Sequence, residues 1–369
     1  MDNKILIVTL PTSVSGGNIG NRLQNYALVR VVNELGYAAV NAQYHQKKKV
    51  STIVKKQMKK LLSVVGIEKY RVKYSYTCLE EKRTHLILEY EKKLVVKSID
   101  LSDGNIHHFD HRDYHCAITG SDQVWHNWHS RRNELSYFYL RFMPKNKRVS
   151  YAPSFGFKNF PVEDKEEHIK GLKGMAALSC REKDGCELIK RETGRDAEWV
   201  LDPTLLLEKE DWNRIARKPS YDIPEHFLLL YFLGNITKEY QTKIDEVAER
   251  FQLRTINILS PLDSPDYYLT TPDEFVYLVS QADFICTDSF HATVFSIIYS
   301  KNFITFKRHQ EGFMDMFGRI GDLLEETGLT EHEYNKEFTP KNNVAGAFEK
   351  LGKQRKASVN YLKEAIEKS

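Results

Sequence analysis

The sequence predicts an α/β protein built from two Rossmann-like halves that face each other across a cleft. Three observations predict it. Short apolar runs suited to buried parallel strands alternate with segments of helical period along the chain. The strands end in polar, glycine-bearing or charged turns, which is how a parallel sheet presents a binding edge. The alternation also breaks once, at Lys218–Pro224, and starts again. The expected units are an N-terminal Rossmann-like domain over residues 1–217, a C-terminal one over 218–345, and a terminal helix over 346–369.

A chain of 369 residues is too long for one ordinary core and comfortable for two α/β domains. With 41% hydrophobic and 28% charged residues, the composition is that of a soluble globular protein. No apolar run approaches the roughly 18 residues a membrane span needs. The N-terminal MDNKILIVTLPT enters a strand without a leader pattern, so a cytoplasmic location is expected. Five cysteines (Cys78, Cys116, Cys180, Cys186, Cys286) are scattered without zinc or CxxC spacing and read as reduced thiols. His107, His108, His111 and His115 make a loose cluster rather than a ligand set, and no metal is expected.

In order, Lys4–Leu10 is a buried first strand. The loop after it carries Gly16 and Gly17, and a helix with the stripe Leu23, Ala27, Leu28, Val31, Leu35 follows. The spacing is not GxGxxG, so no dinucleotide is implied. Asn18, Asn21, Gln24 and Asn25 supply neutral amides suited to sugar hydroxyls. Ala38–Asn41 is a second strand. Between Lys47 and Lys73 stand ten basic residues and one acid, Glu68, with apolar residues at helical spacing. Such an amphipathic cationic helix either packs as a solvated face or docks on an anionic membrane surface. Nucleic acid is not expected, because no stacking pattern or nucleic-acid motif accompanies it.

A helix over about Cys78–Val96 precedes the strand His115–Thr119, which runs into Gly120-Ser121-Asp122-Gln123-Val124-Trp125. There Asp122 can act as an acid, and Trp125 and Trp128 can stack on a sugar. Arg148–Tyr151 is a strand followed by Ser154, and a helix covers Lys165–Lys173. Ala177–Cys180 leads to Arg181, an anion-binding candidate. A helix covers Glu187–Thr193, and Trp199–Leu201 is a strand ending at Asp202-Pro203-Thr204. Past the linker come strand Phe227–Leu233, helix Lys238–Arg250, strand Thr255–Leu259 and helix Pro272–Ser280. Phe284-Ile285-Cys286 is a buried strand, and Asp288 and Ser289 carry N-cap chemistry for a helix over His291–Tyr299. Strand Phe303–Phe306 ends in Lys307 and Arg308. His291 thus stands at a helix N-terminus beside a strand's C-terminal edge, a place that favours anions. A helix Ile320–Glu326 and a long helix or helix pair over Asn342–Lys368 complete the chain.

Six segments in this order, NIGNRLQNYAL, ITGSDQVW, SYAPSFG, SCREKDG, VLDPTLLL and TDSFHATVFSIIYSKNFITF, resemble the polysaccharide pyruvyl transferase family over most of the chain. The resemblance implies a GT-B-like fold and transfer of pyruvate from phosphoenolpyruvate to two sugar hydroxyls, forming a cyclic ketal in cell-surface polysaccharide synthesis. It implies Arg181 and His291 as donor residues, His291 also protonating the departing phosphate, with phosphoenolpyruvate a co-substrate and no cofactor. Asp122 is the candidate acid. The acceptor candidates, read from the residues themselves, are Asn18, Asn21, Gln24, Asn25, Gln123, Trp125 and Ser154. Where many members carry Arg-x-His, this chain has Ser289-Phe290-His291, and Lys307 or Arg308 are candidates to supply the missing cation. Some family acceptors are lipid-linked, which suits a Lys47–Lys73 segment at the membrane face. Two other readings fit the same fold. One is a nucleotide-sugar glycosyltransferase with Glu325 or Glu326 on the ribose, and the other is a non-catalytic saccharide-binding protein.

Overall fold

The computed structural model describes residues 3–10, 18–44, 58, 68–94, 97–102, 106–126, 132–310, 317–335 and 344–369. The glycine loop with Gly16 and Gly17, Trp128 and most of Lys47–Lys73 lie outside the described residues.

Two parallel sheets organise the chain. The first contains β1 (Lys4–Val8), β2 (Ala38–Gln43), β3 (Ser98–Asp100), β4 (Cys116–Thr119) and β5 (Arg148–Ser150) in the order β3-β2-β1-β4-β5. The second contains β8 (Phe227–Tyr231), β9 (Arg254–Asn257), β10 (Phe284–Thr287) and β11 (Asn302–Thr305) in the order β11-β10-β8-β9. Their central strands are apolar runs because helices cover both faces: all five residues of β8 and all four of β4 and β10 are buried. Register follows directly, with Ile285 lying between Leu229 and Phe303 and Ile5 between Ala39 and Cys116. Each sheet has a switch point, between β1 and β4 in the first and between β8 and β10 in the second. The helices Ile19–Glu34 and Phe290–Ile298 start at these points.

Besides the helices Arg132–Phe138, Lys209–Asn213 and Pro265–Tyr268, which were not anticipated, three elements differ from expectation. β3 was not anticipated, since its three residues are largely exposed and carry no apolar signal. The strand expected at Trp199–Leu201 is Glu198–Trp199 (β7). It pairs only with β6 (Ser179–Cys180) in a separate two-stranded sheet, which a bridge from Val149 to Ala177 links to β5. The helix expected near Cys78 begins at Glu68 and ends at Leu94.

The halves are packed together rather than merely tethered. One apolar core runs from the helix Ile19–Glu34 through Trp212 to the helices Pro272–Gln281 and Phe290–Ile298. Buried Arg83, from the N-terminal half, donates to the carbonyls of Ile258 (3.0 Å) and Tyr268 in the other half. The terminal helix Gly352–Glu367 returns to the first sheet. There the Tyr361 hydroxyl donates to the Ser150 carbonyl at 3.0 Å, and Ser358 accepts the Leu201 N–H at 3.0 Å. Among the described residues no helix is long and apolar enough to cross a membrane.

Candidate active site

The turn after β4 begins at Gly120, whose φ of +128° and contact with the Tyr151 carbonyl leave no room for a Cβ. Ser121 follows, its N–H donating to Gln24 Oε1 (3.1 Å) and its hydroxyl to Asp202 Oδ2 (3.0 Å). Asp122, at a φ of +67°, is thereby held with both carboxylate oxygens engaged. Oδ2 accepts from Asn21 Nδ2 at 3.0 Å and Oδ1 from Arg181 Nη2 at 3.3 Å. Arg181, leaving β6, also donates through Nη1 to Asp202 Oδ2 at 2.7 Å. Asp202 follows β7, and its other oxygen caps the turn through the Thr204 N–H (3.0 Å) and hydroxyl (2.6 Å). Three strand ends of the N-terminal half thus converge on one carboxylate–guanidinium–carboxylate array.

The C-terminal half presses three side chains onto it. Ser289 caps the helix Phe290–Ile298 by accepting the Ala292 N–H, which fixes Phe290 and His291 in the first turn. The Phe290 ring lies 4.6 Å from the Arg181 guanidinium and 5.9 Å from that of Arg319. His291 is 4% exposed, and its Nε2 stands 3.7 Å from Asp202 Oδ2 without a hydrogen-bond partner. Its Nδ1 edge lies against Gly20, where a Cβ would meet the ring at 2.5 Å (Cγ) and 2.6 Å (Cβ). Arg319, from the helix Gly318–Thr327, approaches Asp122 at 3.9 Å and Glu182 at 4.0 Å. Arg308 lies behind, 3.7 Å from Asp288, which accepts the N–H groups of Leu233 (2.7 Å) and Gly234 (2.8 Å).

Charge within this array is strongly coupled. Burial opposes ionisation of Asp122, but Arg181, His291, Arg319 and the Asn21 amide outweigh it and hold the carboxyl below its usual value. Burial likewise opposes charge on Asp202, and His291, Arg181 and Thr204 hold it well below the carboxylate range. Arg181 resists the same burial because Asp202, Asp122 and Glu182 surround it, and stays above its usual value. Arg319 is the exception. Burial and then repulsion from Arg181 bring it down to about 10, despite Glu182 and Asp122. The array therefore holds one buried guanidinium whose charge burial and Arg181 disfavour even with Asp122 and Glu182 facing it.

Comparison with known sequences places this geometry. The family described as polysaccharide pyruvyl transferase matches residues 18–310, most of the chain. The chain belongs to the polysaccharide pyruvyl transferase family. A comparison with curated proteins finds no match. Among solved structures, one is named as a UDP-N-acetylglucosamine 2-epimerase of Listeria monocytogenes. It aligns with a TM-score of 0.51 at 10% identity, over 98% of this chain and 90% of that one. The UDP-GlcNAc 2-epimerase of Neisseria meningitidis aligns with a TM-score of 0.46 at 11% identity, over 97% and 99%. Identities this low carry the fold alone. The chain has two Rossmann-like domains in the GT-B arrangement.

Within this family member the structure brings Asp122, Arg181, Ser289, His291 and Asn21 together at the domain junction. It places the other expected residues elsewhere. Trp125 does not face the cleft: it is fully buried, stacked on Tyr139 at 5.2 Å and packed on Phe155 at 5.1 Å, so no ring face is left for a sugar. Gln24 and Asn25 are buried and serve the fold, Gln24 through Thr9 (2.7 Å) and Ser121, Asn25 through Glu91 (3.4 Å). Asn18 caps its helix. Gln123 packs beside Gly156, and Ser154 is buried, its N–H on the Asp122 carbonyl (2.8 Å) and its Oγ without a partner. Lys307 points out to Glu333 at 3.5 Å, away from the array, whereas Arg308 faces inward. Glu326 is occupied by an ion pair with Lys183. Asp202, Glu182 and Arg319 were missed as site residues. Asp202 carried a signal, as the polar end of a strand; Arg319 sits in an ordinary amphipathic helix and carried none.

Proposed function

We propose that the chain moves the enolpyruvyl unit of phosphoenolpyruvate onto two hydroxyls of one saccharide, releasing phosphate and leaving a cyclic ketal. The observation that carries this reading is the convergence at the domain junction of Arg181, Arg319 and His291, whose Nε2 has no hydrogen-bond partner among the described residues, on the Asp122 and Asp202 carboxylates. A doubly anionic donor needs fixed cations and N–H donors of this kind. Arg319 and Arg308 take its phosphate and carboxylate, and Arg181, already committed to two carboxylates, acts as a positioning residue. Asp122 is ionised at rest, so it begins as a proton acceptor rather than as the acid the sequence suggested.

In the first step a sugar hydroxyl attacks C2 of the enol. Its proton passes through Asp122 to the methylene carbon, which becomes the methyl group. In the second step the other hydroxyl attacks C2 as the C2–O bond to phosphate breaks, and its proton leaves with the phosphate, assisted by His291. No proton is gained or lost overall. The acceptor approaches the array from the side of the small recess lined by Phe155, Phe157, Glu182, Asp184, Arg319 and Asp322. We further propose that the reaction runs at the cytoplasmic membrane face, with Lys47–Lys73 holding the protein against anionic lipid. Unchanged vesicle binding after neutralising those lysines removes this part.

The test is phosphate release from phosphoenolpyruvate with a panel of galactosyl and mannosyl acceptors. Acceptor-dependent release, lost in folded His291→Ala and Asp122→Asn, supports the reading. Tight binding of a nucleotide sugar, with none of phosphoenolpyruvate, replaces it with a glycosyltransferase.

A further inference from the structure

A second cationic site lies at the other end of the first sheet. The catalytic array sits past the C-terminal ends of the strands, whereas Arg148 is the first residue of β5 and opens into a cavity of about 640 Å³. That volume is within the range of small-ligand pockets, roughly 300–1,000 Å³. Arg141, Lys145, Arg148, Lys170 and Lys173 line it, with Glu166 the single acid and Ile169 the apolar floor.

The two arginines are already held in place. Arg148 donates through Nε and Nη2 to the Met143 carbonyl (2.8 and 2.6 Å) and through Nη2 to the Arg141 carbonyl (3.2 Å). These bonds leave Nη1, and the glycine at position 174 keeps that edge uncovered, since a Cβ there would stand 3.0 Å from it. Arg141 is fixed by the Glu167 carbonyl (3.2 Å) and carboxylate (2.7 Å). Held guanidiniums need little further ordering to bind an anion. Lys170 and Lys173 occupy the last turn of the helix Lys165–Lys173, where cations are favoured in any case. Arg141, Lys145 and Arg148, however, reach the same cavity from a separate segment. With Arg141 matched by Glu167, the lining retains a surplus of positive charge that no described side chain balances. Burial and the neighbouring Arg141 both disfavour the Arg148 charge, as expected for a site short of an anion.

We propose that this cavity binds a phosphate-bearing ligand, a diphosphate or phosphate ester whose charge matches the surplus, at a site separate from the catalytic array. The phosphate can come from a soluble compound or from a lipid headgroup, and the test separates the two. Inorganic pyrophosphate is titrated calorimetrically into the full chain, into Lys170→Gln/Lys173→Gln, into the remote pair Lys363→Gln/Lys368→Gln, and into His291→Ala. All four lysines are surface residues, so these variants keep the fold. Affinity should fall about tenfold or more in the Lys170/Lys173 variant, because two charge-assisted contacts are lost. It should stay within about twofold in the remote pair, and His291→Ala should keep the Lys170/Lys173-dependent site.

In the second arm the same variants are sedimented with phosphatidylcholine vesicles with and without phosphatidic acid. Loss of phosphatidic-acid-dependent binding in the Lys170/Lys173 variant assigns the phosphate to a lipid headgroup. Loss confined to pyrophosphate assigns it to a soluble ester. Equal pyrophosphate affinity in the parent and the Lys170/Lys173 variant, or an equal loss in the remote pair, overturns the proposal.

Discussion

Gly20→Ala tests whether the catalytic array depends on close approach of the two halves. Gly20 is the second residue of its helix, and its φ is unexceptional. Taken locally, alanine there should help the helix by up to about 1 kcal/mol. Across the junction the sign reverses. The new methyl would stand 2.5 Å from His291 Cγ and 2.6 Å from its Cβ, well inside van der Waals contact. The ring cannot move aside, because it is buried, starts a capped helix, and has Phe290 at 5.4 Å and Asp202 at 3.7 Å. Overpacking of this kind costs about 1–3 kcal/mol, which exceeds the helix gain.

The net loss, on the order of 1–2 kcal/mol, falls on the contact that positions His291, so kcat/KM for phosphate release should drop about tenfold or more. Denaturant unfolding gives a readout independent of activity. In a His291→Gly background both the Cγ and the Cβ that the new methyl would meet are gone, and Gly20→Ala should be neutral or slightly stabilising. The cycle should therefore show a coupling of about 1 kcal/mol or more. A coupling near zero, or a fully active Gly20→Ala protein, refutes the argument.

Three further outcomes are expected. Arg319→Met should weaken phosphoenolpyruvate binding by about tenfold or more, yet raise unfolding stability by on the order of 1 kcal/mol. Its guanidinium is held down to about 10 by burial and by Arg181, so the folded chain disfavours that charge, and equal or lower stability would contradict this. Burial, aided by His126, holds His168 down to about 3 from 6.5. The unfolded chain therefore takes up a proton that the folded chain refuses. Stability from this group is full above pH 6.5 and is lost as pH falls toward 3, by up to several kcal/mol. His168→Gln should flatten that acid slope in urea titrations, while an unchanged slope places its origin elsewhere. Trp125→Phe should lower the urea midpoint by an amount corresponding to about 1–3 kcal/mol and leave acceptor KM unchanged; a raised KM would return Trp125 to the acceptor site.

Much of the scaffold was legible because it follows short-range rules. Buried parallel strands appear as continuous apolar runs, so β1, β4, β8 and β10 were readable, while β3 had no such run. A helix start was legible where side-chain chemistry marks it, as at Ser289 before Phe290; the capping box of Thr271 with Glu274 at Pro272–Gln281 emerged only from the structure. Asp122, Arg181 and His291 stood out because each follows a strand's C-terminal end. The amides of Asn21, Gln24 and Asn25 looked like sugar ligands because polar residues at a binding edge look alike in sequence, whether they face a ligand or satisfy their own turn.

By itself the sequence determined the two alternating α/β halves, the capped helix that carries His291, and the family. These depend on periodicity, local capping and ordered motifs, all of which act within a few residues. Only the tertiary structure decided that Asp202 sits between Arg181 and His291, that Arg319 reaches Asp122 and Glu182 from the other half, that Gly20 admits the His291 ring, and that Trp125 turns into the core. Those outcomes depend on which charges meet after burial. Segments as distant as Asp122 and Arg319 have no local pattern that records their pairing; it arises when both sheets pack and desolvated charges must find partners.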